Sequence, residues 1–206
     1  MVTRPFPEPG RLVVAAYREL DIAQAGTTQE RAVLGRVEAL GRPWDPPQCA
    51  PAVRKQVWAW LDEVAGWVNH EHGWGVDRLI PPCWPAHPHI GHELAVLADQ
   101  RRTAELALTS ELLEEWHRYS LPMFLDRLVG RLGNRCLTKH DEWPAAARHR
   151  AYLSEASQQQ RAGWFADDLA TTRATTAPAA GDFGPFAVVN RDTGELLDPH
   201  RPNGGR

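Results

Sequence analysis

The sequence predicts an all-α fold: a compact helical bundle with an N-terminal helical hairpin and a disordered C-terminal tail. Three observations carry that expectation. Apolar residues recur at i, i+3/i+4 and i+7 in several long stretches, and no segment before the tail alternates with the period of two that a half-buried strand needs. From about Thr171 the chain turns rich in Thr, Ala, Pro and Gly, a composition without regularly spaced apolar anchors. The expected organisation is a hairpin and Pro-rich connector over 1–45, a helical core over 46–170 and a flexible tail over 171–206.

The elements follow in order. "GRLVVAAYRELDIAQA" and "TTQERAVLGRVEAL" read as two amphipathic helices split at Gly26. The second opens on a capping box, in which the Thr27 side chain accepts from the amide of Glu30 while Glu30 reaches back. "GRPWDPPQCAP" carries four prolines and stops any helix. "PAVRKQVWAWLDEVAGWVNHEHG" is the clearest helix, with Val53, Val57, Trp60, Leu61, Val64, Trp67 and Val68 on one stripe, Pro51 at its first turn and Gly73 at its stop. A helix from about Pro88 to Leu108 and another over 110–133 complete the core. Pro122 is expected to kink the latter, since it lacks a backbone donor and crowds residue 118. "DEWPAAARHRAYLSEASQQQRAGWFADDLA" reads as a more polar helix or pair. A short extended piece is expected at "PFAVVNRDTGELL".

Composition limits the function classes. The 206 residues carry a net charge of −3, so no global basic field draws the chain to nucleic acid or acidic lipid. No apolar run approaches the roughly 20 residues of a membrane span, and the start "MVTRPFPEPG" lacks the apolar stretch of a secretory signal. Cys49, Cys83 and Cys136 are an odd, sparse set, which fits a reducing compartment. The expected location is cytoplasmic, and the expected partner is another protein. Nucleic acid is a disfavoured partner and a membrane is not expected. Neither a phosphate-binding G-x-x-x-x-G-K-[ST] nor a G-x-G-x-x-G after a strand is present.

"CWPAHPHIGHEL", residues 83 to 94, is the stretch richest in chemistry. Zinc takes about four Cys, His or carboxylate ligands. Cys83 and His87 precede a helix on which His89 and His92 stand three residues apart, while His70 and His72 end the preceding helix and His117 follows Trp116 on the next. The candidate functional cluster is therefore Cys83, Trp84, His87, His89, His92, Trp116 and His117. Against a metal, C-x3-H-x-H-x2-H matches no zinc module, and H-x-x-H-E is not the H-E-x-x-H of metalloproteases. The favoured expectation is a structural corner without cofactor, in which Cys83 and Trp84 pack inward, Pro88 starts a helix, and Trp116 with His117 meets the corner from the next helix. Zinc, on His87, His89 and His92 or on the wider Cys83/His87/His89/His92/His117 set, is the alternative. A nucleophilic Cys83 with His87 or His117 as base lacks a nameable oxyanion hole. Glu114 and Glu115 read as a solvated helix face.

The nine tryptophans form a second signal. Trp58 and Trp60 lie about 200° apart on a helical wheel, at roughly 100° per residue, so one of them leaves the core face. An outward tryptophan marks a binding hot spot or lies beneath a second element.

The runs "LIPPCWPAHPHIGHELAVLADQR", "LLEEWHRYSLPMFLDRLVGRLG" and "DEWPAAARHR" together resemble a family of actinobacterial hypothetical proteins, over residues 55 to 150. The shared positions are Cys83, Trp84, His87, Pro88, His89, Trp116, His117 and Pro122. What the resemblance implies is an association with plasmid-like or integrated mobile elements; it brings no catalytic residues. The expected function is that of a non-enzymatic helical interaction or accessory protein, with a metal-binding protein or metal-dependent enzyme as the alternative.

Overall fold

Behind its three N-terminal prolines the chain enters α1 (Arg11–Ala25), the first of a series of helices that together make the protein all-α. A computed structural model describes residues 2–176 and two further strand pairs of residues, with side chains through residue 172. It divides into two compact units, Met1–Asp141 and Glu142–Arg206. The segments expected as hairpin and as most of the core thus share the first unit.

The expected capping box is present. Glu30 N donates to Thr27 Oγ1 (3.3 Å), and Thr27 N donates to Glu30 Oε2 (2.8 Å). The helix it opens is shorter than the sequence pattern implies, however: α2 is only Thr28–Ala32, followed by an isolated turn at Val37–Ala39. Its residues bury nothing, and Gly35 takes a left-handed φ of +71°, so no tertiary contact extends the helix.

Helix α3 (Pro51–His72) carries the core of the first unit. Val57, Trp60, Leu61, Val64, Trp67 and Val68 are buried along one stripe, as their spacing requires. Helix α4 (Pro88–Leu106) packs on it through Ile90, Leu94, Ala95 and Ala98. The third core segment is a continuous helical run, α5 (Glu111–Glu115), a π-helical turn (Trp116–Ser120) and α6 (Leu121–Leu132). Just before Pro122, where a kink was expected, the run widens into that π-helical turn, in which Leu121 N donates to the Trp116 carbonyl five residues back. Glu93 of α4 pairs with both Arg127 and Arg131 of α6.

The N-terminal decapeptide has a role its composition conceals. It straps across α3: Phe6 is buried edge-on against Trp60 and Trp67, with ring centroids 6.3 and 5.1 Å away. The Trp60 indole donates to the Pro7 carbonyl (2.8 Å) and the Trp67 indole to the Arg4 carbonyl (3.1 Å). Both buried indole N–H groups therefore have acceptors, which removes the cost of burying a bare donor. Arg101 of α4 completes this layer, its guanidinium 5.2 Å from the Phe6 ring centre and 5.8 Å from those of Trp67 and Trp116.

Trp58 leaves the core face, as the wheel requires, and is half-buried. A second element covers it: the ring of Trp84 lies 6.0 Å away.

The second unit contains α7 (Ala146–Leu153) and α8 (Glu155–Thr176). Helix α8 runs through the Thr-rich stretch, so the helical part continues beyond residue 171, where a tail was expected. Strands β1 (Val188–Val189) and β2 (Leu196–Leu197) pair antiparallel, Val188 with Leu197 and Val189 with Leu196, within the segment expected to be extended. The disorder expected of the tail lies otherwise outside the described residues. Among the described residues no helix is long and apolar enough to cross a membrane.

Candidate metal centre

Two turns build the site. The first is the link from α3 to α4. Asn69 pins it with a two-way bond: its Nδ2 donates to the Ile80 carbonyl (2.9 Å) and its Oδ1 accepts from Ile80 N (2.7 Å). Beyond Ile80 the backbone coils tightly, with Trp84 N bonded to the Pro81 carbonyl and His87 N to the Trp84 carbonyl. Trp84 is buried against Trp58 and fixes the coil from below. Pro88, which has no N–H to lose at a first turn, then starts α4. Cys83 and His87 thus stand at the two ends of one short coil.

The second turn follows α6. Gly133, at φ +54°, ends the helix with its N–H on the Val129 carbonyl. Three residues later Cys136 also adopts a left-handed φ, +59°. For a residue with a side chain that conformation costs on the order of 1–3 kcal/mol and persists where its surroundings over-determine it. Here Cys136 N donates to Asp141 Oδ2 (2.9 Å), and Asp141 N points back at Cys136 Sγ (3.4 Å). Cys136 is buried, Cys83 and His87 are half-buried, and His140 is exposed.

Cys83, His87, Cys136 and His140 converge: one ligand atom from each lies within 4.8 Å of the others. His87 Nε2 is 3.5 Å from Cys83 Sγ and 3.3 Å from Cys136 Sγ. Tetrahedral zinc, with bonds of about 2.0–2.3 Å, separates its ligand atoms by roughly 3.3–3.8 Å. Two edges of that tetrahedron are therefore already in place. The His87 and His140 rings lie 5.0 Å apart.

Electrostatics favour a metal over a nucleophile. Burial, with His140 and His89 adding to it, lowers the His87 pKa and keeps the imidazole neutral, the form that ligates. Burial also raises the Cys83 thiol, and its contact with Cys136 raises it further. A nucleophilic cysteine needs the opposite shift, toward thiolate. The two sulfurs flank one imidazole, and a divalent cation placed among them relieves the penalty by taking both as thiolates. Cys2His2 is a donor set that zinc fills without a water.

The sequence-selected residues divide. Cys83 and His87 belong to the cluster; Trp84 supports it from the core. His89 stands beside it, its ring 5.8 Å from that of His87 and its Nε2 buried without a hydrogen-bond partner, and burial together with Arg131 lowers its pKa. His92 is exposed and lines a cavity of about 410 Å³ with Trp58 and Trp84. His117 faces His72, at 5.8 Å between ring centres, and Trp116 lies in the core with its indole donating to the Leu97 carbonyl (3.1 Å). The set His87/His89/His92 is thus not the one that converges. Cys136 and His140, not His89 and His92, are the residues whose ligand atoms converge with those of Cys83 and His87. One signal in the sequence pointed to them: C-x3-H occurs twice, as Cys83–His87 and Cys136–His140.

Comparison with known proteins adds no assignment, since no family model, no curated protein and no solved structure matches this chain.

Proposed function

We propose that this chain is a zinc-binding helical protein in which a closed Cys83/His87/Cys136/His140 centre staples the turn after α6 to the turn before α4. The observation that carries the reading is the convergence of two C-x3-H pairs, Cys83–His87 and Cys136–His140, whose four ligand atoms lie within 4.8 Å of one another. Four protein ligands fill a tetrahedral ion and leave no position for water or substrate, so the metal is structural. The test is metal content. Protein purified reduced and dialysed against micromolar zinc is expected to hold one zinc per chain. Its removal by chelator should lower Tm by on the order of 10 °C, since ligand binding worth about 4 kcal/mol shifts a chain of this size by roughly 2–4 °C per kcal/mol. A chain that takes up no zinc overturns the reading.

A second reading concerns what the folded protein is for, and exposed aromatic residues favour it. Trp164, Phe165 and Leu169 of α8 are each more than half exposed, and Trp74 is fully so. Exposed tryptophan is enriched in binding hot spots, so the reading extends to a non-enzymatic partner of another protein. The accessory role beside a mobile element, implied by the resemblance at 83–89 and 116–122, belongs to this proposal. Pull-down with the Trp164→Ala, Phe165→Ala double variant tests it against wild type: an unchanged partner profile sinks it.

A further inference from the structure

Both sulfurs of the metal cluster sit on turns, outside any helix interior. Cys83 lies just before the 84–86 coil and Cys136 within the turns that follow α6, so neither backbone is locked by a helical ladder. Their ligand atoms lie within 4.8 Å. A disulfide requires about 2.05 Å between sulfurs, so the pair must close by less than ~3 Å. Cys83 is the partly exposed member and Cys136 the buried one. The third cysteine is occupied elsewhere: Cys49 Sγ donates to the Arg42 carbonyl (3.3 Å) in the Pro-rich connector.

We propose that the centre is a redox clasp, in which a peroxide-class oxidant converts Cys83 and Cys136 from metal ligands into a disulfide and ejects the zinc. The inference rests on the zinc reading above. The accessible Cys83 thiolate attacks one oxygen of the peroxide, the O–O bond breaks and hydroxide leaves, giving Cys83 sulfenic acid. The Cys136 thiolate then attacks the Cys83 sulfur, the S–O bond breaks and a second hydroxide leaves. Two solvent protons turn the hydroxides into water. The thiolates lose two electrons, the peroxide gains two, and the zinc, left with two imidazoles, dissociates.

The test uses the full chain, zinc-loaded and reduced, titrated with hydrogen peroxide in the presence of a chromogenic zinc chelator. Expected is release of one zinc per chain, one Cys83–Cys136 disulfide in the peptide map, and recovery of both states on adding dithiothreitol and zinc. Cys49→Ser should release zinc at the wild-type rate within about two-fold. Zinc retained through the titration, release with sulfinic or sulfonic acid at either cysteine, or a disulfide to Cys49 each overturn the clasp while leaving the metal reading intact. Absence of zinc in the reduced starting protein overturns both, and is seen before any peroxide is added.

Discussion

Cys136 Sγ lies 3.3 Å from His87 Nε2, although 49 residues of sequence separate them. The contact joins the end of the third core segment to the start of α4, and it does so through two side chains that ligate the same metals. Among the four converging residues, two come from each turn, so neither turn can hold a metal without the other.

Ligand identity is therefore separable by substitution. His87→Ala and His140→Ala should each lower zinc affinity by at least about 10-fold, the low end of what losing even an orienting partner costs. His89→Ala, His92→Ala and His117→Ala should keep one zinc per chain. Competition titration against a chromogenic chelator measures all five, and loss of zinc in His92→Ala or His117→Ala would count against this ligand set.

Trp84 links the metal coil to the core. Its ring is buried against Trp58, so Trp84→Ala should destabilise the first unit by about 3–5 kcal/mol, as truncation of a buried aromatic does. The same variant should bind zinc more weakly, because Cys83 and His87 flank the lost side chain. Urea denaturation of the zinc-saturated protein provides the check. A cost below about 1 kcal/mol would show that the coil stands without the ring.

Phe6 makes the N-terminal strap part of the core. Phe6→Ala is expected to cost about 3–5 kcal/mol and to red-shift tryptophan emission, since Trp60 and Trp67 lose their cover. Removing residues 1–9 should give a larger shift, because the acceptors at Arg4 and Pro7 go too. Emission unchanged from wild type in both variants would place the strap outside the core.

Acid should destabilise the protein through His72. Burial lowers its pKa below the ordinary value of about 6.5, with His117 and Arg101 also opposing its charge and Glu71 partly offsetting them. The unfolded chain then binds the proton more readily than the folded one, so this contribution is present above about pH 6.5 and is lost as pH falls through the folded pKa. Tm should drop between pH 7.5 and 5.5 at fixed zinc, and less steeply in His72→Gln. Equal slopes for the two proteins would remove His72 as the cause.

The helices were legible because their signal is local. Periodic apolar residues in 51–72 and 88–106, Pro51 and Pro88 at first turns, and Gly73 at an end each act within one or two turns of backbone. The Thr27–Glu30 capping box is a contact over three residues, and sequence spacing defines it. Where an element depends on distant packing, the pattern overreached, as in α2, which buries nothing and stops at Ala32.

The candidate metal centre was half legible for the same reason. By itself the sequence determined the all-α class, the core stripes of α3 and α4, and Cys83 and His87 as neighbours on one coil. Only the tertiary structure brings Cys136 and His140 beside them, while His89, His92 and His117 lie outside that convergence. A chelate between turns 49 residues apart depends on how α6 crosses α4, through core packing and Glu93 with its two arginines. The strap shows the same limit: nothing local in "MVTRPFPEPG" says that Phe6 belongs between Trp60 and Trp67, because that pairing exists only once α3 offers two indoles in need of cover and of acceptors.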